Sequence, residues 1–439
     1  MNAAPRPRLW TADYILTLFG TFTFFGSFFY LLSVLPEYVD EIGGEEWHIG
    51  LIVGGFNLIP LFLRPFAGRW SDRGQRVRLM RIALVIFAIA LLLMVWSEDI
   101  WSLLALRVVQ GIGMAMFPTA AGSLVAELAP LPRRGEGVGF FGMSTSLAQM
   151  IFPALGVVIA DTWGFDAIFI VAAVTAGLTI LTIARLKEPP TQQTKPIRER
   201  LAELPAALSA LRPRGLPVGL PAAQKGTLPK LALPETPGSL IPRPAVFPMS
   251  IFLTVTISFG AASAFLPLLS DERDLGNVGL YFLVSGAAAV VTRPIAGSLS
   301  DRLGRVAIVV PGLLLSGIGM WILTQADSLP IMLVAGVFGG VGLGAAHTGL
   351  LALALDRVRG NQRGGATAIF QIAWDIGGLL GSTALGFVAS AIDVEVVFWI
   401  ASITIFSGVI ALLGGHTMGW TTPHRESVTE PLAPARAKA

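Results

Sequence analysis

The chain has 439 residues, 54% of them hydrophobic and only 13% charged, and a mean hydropathy of +0.70 is more apolar surface than one soluble core can hide. The absence of cysteine excludes disulfides and thiolate metal sites. A net charge of +3, segregated as described below, gives no nucleic-acid surface.

Windows of about 20 residues predict twelve membrane-crossing helices, over residues 12–36, 47–68, 77–97, 101–128, 136–161, 164–186, 246–270, 277–298, 305–326, 329–355, 364–391 and 394–415. The expectation is an all-α integral membrane protein, embedded in a lipid bilayer and monomeric. It has an N-terminal six-helix half (1–187), a Pro-rich linker (188–245), a C-terminal six-helix half (246–416) and a tail (417–439). Glycine and proline within these runs are tolerated in spanning helices, where neighbours re-satisfy the backbone. Pro189, Pro190, Pro213, Pro217, Pro221, Pro229 and Pro234 preclude long helices in the linker, which reads as a tether. One stretch, 197–211, places Leu201, Leu204, Leu208 and Leu211 at helical spacing and could lie on the inner membrane surface.

All but Arg107 and Arg273 of the 31 Lys and Arg fall in the tails, the linker or alternate connections, with Arg64 and Arg293 counted among those loop charges. The opposite side carries Glu37, Asp40, Glu41, Glu45 and Glu46. The positive-inside rule then places both termini in the cytoplasm of a multi-pass inner or plasma membrane protein. The first apolar run is long enough to span and is expected to stay as helix one, not to be cleaved as a signal.

A sentence of sequence is written twice. Arg64-Pro65-Phe66-Ala67-Gly68-Arg69-Trp70-Ser71-Asp72-Arg73 returns as Arg293-Pro294-Ile295-Ala296-Gly297-Ser298-Leu299-Ser300-Asp301-Arg302, an offset of 229. The same offset carries Glu127 onto Asp356, Arg134 onto Arg363 and Phe141 onto Phe370. Duplicated halves are how many transporters are built.

Within the predicted spans, charge is scarce and therefore informative, since an ionisable group at mid-bilayer costs about 2.5–3.5 kcal/mol even on the lenient insertion scale. Asp375 lies eleven residues into the eleventh helix, about 16 Å deep, and shares a face with Gln371, Gly378 and Ser382. It reads as a proton or cation carrier, against a purely structural hydrogen bond; its repeat equivalent is Ser146. Arg107 lies about 9 Å below the outer end of the fourth helix, with Gln110 on its face. It could attract an anion or pair with Asp375; the bland alternative is snorkelling. Asn57, Gln149 and Trp374 are cavity-lining candidates, and His347 is a candidate proton shuttle or a histidine satisfied by a local carbonyl. There is no Ser-His-Asp order, phosphate loop or metal-ligand cluster, so an enzyme, a metal site and a cofactor are not expected.

The turn Gly68-Arg69-Trp70-Ser71-Asp72-Arg73-Gly74-Gln75-Arg76 resembles motif A of the major facilitator superfamily, one residue short between Arg73 and Gly74, and Gly297 through Arg305 is a fuller second copy. Arg107-Val108-Val109-Gln110-Gly111-Ile112-Gly113 resembles motif B of proton-coupled members, and Gly142 onward to Phe152-Pro153-Ala154-Leu155-Gly156 resembles motif C of drug and metabolite antiporters, with Phe152 where glycine is expected. The resemblance spans the chain apart from the tails and linker. It implies a latch on the cytoplasmic side in which Gly68, Asp72, Arg73 and Arg76, and Gly297, Asp301, Arg302 and Arg305, meet the opposite half near Arg363 and Arg134, with Glu127 and Asp356 as further gate partners.

The expected function is secondary active transport by alternating access, as a proton-coupled exporter of a small amphiphilic drug or metabolite. A proton-coupled uptake symporter for an organic anion or sugar is the alternative. A non-transporting receptor or scaffold fits less well, because a static bundle has no use for two latches and a mid-membrane carboxyl.

Overall fold

The computed structural model describes residues 8–72, 74–130, 133–188, 243–358 and 363–421. Among them are twelve helices long and apolar enough to cross a membrane: α1 (Ala12–Phe29), α2 (Glu46–Ser71), α3 (Arg76–Trp96), α4 (Ile100–Leu128), α5 (Glu136–Trp163), α6 (Phe165–Ala184), α7 (Arg243–Glu272), α8 (Gly279–Leu303), α9 (Arg305–Thr324), α10 (Leu329–Asp356), α11 (Ala366–Ala391) and α12 (Val394–Thr417). Arg73, the expected amphipathic stretch 197–211 and most of the linker and tail lie outside the described residues, as do the side chains of Asp72, Arg134 and Arg363.

Local chemistry sets the helix ends. Thr11 accepts from Tyr14 N to cap α1, Asp99 accepts from Trp101 N and Ser102 N to cap α4, and Asp393 accepts from Glu395 N to cap α12. Glu188, just beyond α6, accepts from Arg76 N and Val77 N at 2.7 and 2.9 Å and so caps α3 from the far end of its own half. Large apolar side chains such as Leu181, Ile403 and Ile410 remain on the surface, where lipid is their natural solvent.

Several expected boundaries shift. The first apolar run divides: α1 ends at Phe29 and a separate short helix, Leu35–Glu41, lies across the acidic end of the molecule. The second helix runs on to Ser71 with a break at 56–57, and the eighth to Leu303; Arg64 and Arg293, inside the expected spans 47–68 and 277–298 although counted with the loop charges, lie well within these helices. The first motif A turn is not shortened either. Gly74 (φ +78°) makes the left-handed turn there and Gly304 (φ +95°) one register later in the second copy, while Arg76 and Arg305 open the next helix in both.

The six-helix halves meet along two crossings related by the repeat, α2 on α11 and α5 on α8. In the first, a Cβ on Gly50 would collide with the Ser382 carbonyl oxygen, and Thr383 Oγ1 donates to Gly50 O at 3.0 Å. At the acidic end, Trp47 N donates to Ser390 Oγ at 2.9 Å and the Trp47 ring stacks on Phe387. In the second crossing, Gly279 and Gly286 sit against Ala154 and Met150. Toward the opposite, basic end the helices part. A Cβ on Gly68, Gly139 or Gly142 would meet nothing within 4 Å, and Phe66, Trp70, Met143 and Leu299 are exposed. Nothing stands within 4 Å of a Cβ on Gly68, so the expected meeting of this turn with the opposite half is not made in this conformation. The close contacts between the halves lie toward the acidic face, beside a cleft lined by Glu37, Asp40, Glu41 and Asp271, and the glycines toward the basic face have open space beside them.

Candidate functional site between the halves

Between the halves, Arg64 of α2 grips Asp375 of α11. Nε and Nη2 donate to Oδ2 and Oδ1 at 2.6 and 2.8 Å, a bidentate pair across the two halves. The Asp375 side chain is only 3% exposed and that of Arg64 11%, so neither charge is tolerable there without the other. Asn57, in the α2 break, packs against Gly378 one turn farther along α11, and Ser382, within a π-helical turn at Leu380–Ala384, donates back to Gly378 O at 2.5 Å. The α11 stripe expected from spacing is therefore present, with Gln371 half-buried at its basic end.

Arg107 does not reach Asp375. Its Nε donates to Ile52 O at 3.3 Å and its Nη1 to Gln110 Oε1 at 2.5 Å, and its guanidinium lies 4.6 Å over the Phe56 ring and 5.7 Å from that of Phe28. All these partners belong to the first half, which holds the cation by a carbonyl, an amide and two π-faces. The cation that meets Asp375 is Arg64, which sequence reasoning passed over because it was counted among the loop charges, close to the run of arginines from Arg69 to Arg81. The signal that could have found it was the repeat, which places an arginine at one register in both halves.

The repeat also holds in three dimensions. Arg293 Nη1 donates to Ser146 Oγ, the counterpart of Arg64 on Asp375. Gln149 lines a narrow cavity beside this contact with Phe259, Phe282 and Leu343. His347 stands edge-on to Phe252 at 5.3 Å, in an aromatic cluster where Phe252 also contacts Phe370 and Trp374; His347 and Trp374 thus sit in the second half's packing.

At the basic face, Arg76 pairs with Glu127 and Arg305 Nε with Asp356 Oδ2 at 2.7 Å, a repeat-related couple tying the start of α3 or α9 to the end of α4 or α10. Arg305 also pairs with Asp301, which is 68% exposed. In this state Arg76, Glu127, Asp301, Arg305 and Asp356 bond within their own halves.

Twelve candidate spans in two pseudosymmetric halves, with a buried ion pair between them, give the frame of a membrane transporter. The Major Facilitator Superfamily model matches residues 17–287 and 249–438, and the chain belongs to that superfamily. Among curated relatives, it is 29% identical over 332 residues to the multidrug resistance protein MdtG of Serratia proteamaculans (71% of this chain, 72% of the relative). It is 27% identical over 434 residues to MdtG of Proteus mirabilis (93% and 97%). Its fold matches a crystal structure of a D-xylose-proton symporter with a TM-score of 0.67 at 17% identity (92% and 96% covered) and one of the nucleoside transporter NupG with a TM-score of 0.65 at 12% identity (92% and 98%).

Proposed function

We propose that the protein is a proton-coupled exporter of small amphiphilic drugs or metabolites, with Asp375 as the proton carrier and Arg64 as the cation that displaces the proton. The carrying observation is the buried bidentate Arg64–Asp375 pair across the halves. A protonated Asp375 cannot hold both guanidinium bonds, so taking up a proton loosens α2 from α11, and re-forming the pair expels it. Proton binding and the relation between the halves are thereby one event. The positive-inside rule supports a cytoplasmic basic face with both termini on that side, and on that reading the conformation is the inward-facing one. The similarity to proteins named for multidrug resistance supports export over uptake.

The test is flux in proteoliposomes under an imposed pH gradient, with radiolabelled amphiphiles offered one at a time. Antiport moves label against the proton flow; co-directional movement overturns the exporter reading. Asp375→Asn should abolish uphill, pH-dependent accumulation and leave downhill exchange measurable. Full uphill transport in that variant makes Asp375 structural. A single cysteine at position 45 should react with an impermeant maleimide only from outside the cell; labelling only from the cytoplasm reverses the orientation.

A further inference from the structure

The start of α3 and the end of α6 carry cations that the fold does not pair. Arg81 of α3 donates through Nη2 to Ala184 O and Leu186 O at 3.0 and 2.9 Å, which ties the two helix ends together and sets Arg185 beside them. Arg78, Arg81, Arg185 and Lys187 are exposed at this basic end, and among the described residues no carboxylate pairs with any of the four. Glu188, next in the chain, is already spent on Arg76 N and Val77 N. Below the cations both helices turn an apolar face outward. Ile82, Val85 and Ile89 continue the stripe of Arg78 at helical spacing, and Leu181, Leu178 and Val174 continue that of Arg185.

The repeat supplies a comparison. At the offset of 229 the second half keeps Arg305 for Arg76, and it keeps exposed apolar residues, Leu314 and Ile410, for Val85 and Leu181. Where the first half has Arg78, Arg81, Arg185 and Lys187, it has Ala307, Val310, Gly414 and His416, so the helix pair does not need the four cations in order to form. We propose that the basic ends of α3 and α6 bind an anionic phospholipid of the leaflet at the basic face, with its phosphate among the four cations and its acyl chains along the two apolar stripes. Charge complementarity selects the occupant. Cations set above lipid-exposed apolar stripes match an anionic head that carries two chains, whereas a zwitterionic lipid brings an ammonium that the cluster repels. The inference needs only the spans and is independent of the exporter reading.

The experiment uses the absence of native cysteine. Leu181→Cys and its repeat equivalent Ile410→Cys, both at exposed positions, each carry bimane in the full chain reconstituted into vesicles of phosphatidylcholine and phosphatidylglycerol. Quenching by phosphatidylglycerol with brominated chains, set against brominated phosphatidylcholine, gives the relative affinity at each seam. The preference for phosphatidylglycerol should be about fivefold at position 181, the gain from one basic residue at the membrane surface, and about one at 410. Salt at about 1 M should reduce the first ratio. Arg78→Gln with Arg185→Gln and Lys187→Gln should bring it to about one. Ala307→Arg with Gly414→Arg, one exposed and the other with open space for a Cβ, should raise the ratio at 410. That graft leaves the first half intact, so it decides the matter even where the triple variant fails to fold. Equal ratios at 181 and 410 in the wild type, a preference at 181 that survives the triple substitution, or a graft without effect overturns the proposal.

Discussion

Glu37 shows how much one side chain can weigh on the closed mouth of the molecule. It sits in the short Leu35–Glu41 helix and lines a cleft with Asp40, Glu41 and Asp271, the last from the opposite half. Burial, then the charges of Asp161 and Asp271, push its carboxyl up from 4.5 to about 7. At pH 4.5 and below the proton is present whether the mouth is open or closed, and closure carries no penalty. Between 4.5 and 7 the closed form must keep a proton that the solvated carboxyl has released, so closure weakens as pH rises; above about 7 the whole penalty is felt. The full value would be about 3 kcal/mol, and partial exposure of the side chain reduces it to about 1–2 kcal/mol. Spin labels at positions 45 and 391 should therefore report a wider acidic mouth at pH 8 than at pH 5, and Glu37→Gln should flatten the response. A distance distribution indifferent to pH in the wild-type protein removes Glu37 from the closure. Residues of this kind were only partly legible in sequence. Asp375 stood out because one acid interrupts an apolar run, whereas Glu37 became unusual only when the fold brought Asp161 and Asp271 toward it.

At the scale of the element, helices were legible and crossings were not. Runs of apolar residues identify spans because a bilayer needs about 20 of them, but the run says nothing of which helix lies opposite. Phe152 illustrates the difference. It stands where the resembled motif has glycine, and the structure moves the small residue to the partner helix: a Cβ on Gly26 of α1 would lie 2.5 Å from the Phe152 ring, which also packs on Phe22 and Tyr30. The α1–α5 contact is thus kept with knob and hole exchanged. On α2 no such exchange is open to Gly50, whose neighbour is the backbone of α11 and cannot turn aside. Gly50→Ala should push α2 from α11 and disfavour the sealed acidic face by about 1–3 kcal/mol, the usual cost of overpacking. Labels at 45 and 391 should then move apart at constant pH, whereas an unshifted distance would mean that α11 yields without opening the mouth.

For the whole molecule, the duplication supplies two like halves, and rocking one against the other opens one face as it closes the other. The acidic end is held by close backbone contacts and the Trp47–Ser390 bond; at the basic end Asp301 faces solvent with Arg305 of its own half. Removing the Asp301 charge should therefore cost this state no more than the roughly 0.5 kcal/mol of an exposed pair. The expected cost falls on the opposite state, where the repeated turn closes against α5. Loss of a charge-assisted bond there should shift the equilibrium toward the present conformation by about 1–3 kcal/mol. Asp301→Asn should thus leave the thermal stability of the purified protein nearly unchanged while depleting the short-distance population between labels at Val138 and Leu303, both exposed here. If neither that population nor transport changes, the repeated aspartate acts on topology alone, and the latch must be sought in the couples Arg76–Glu127 and Arg305–Asp356, which would then have to exchange partners when the basic face shuts.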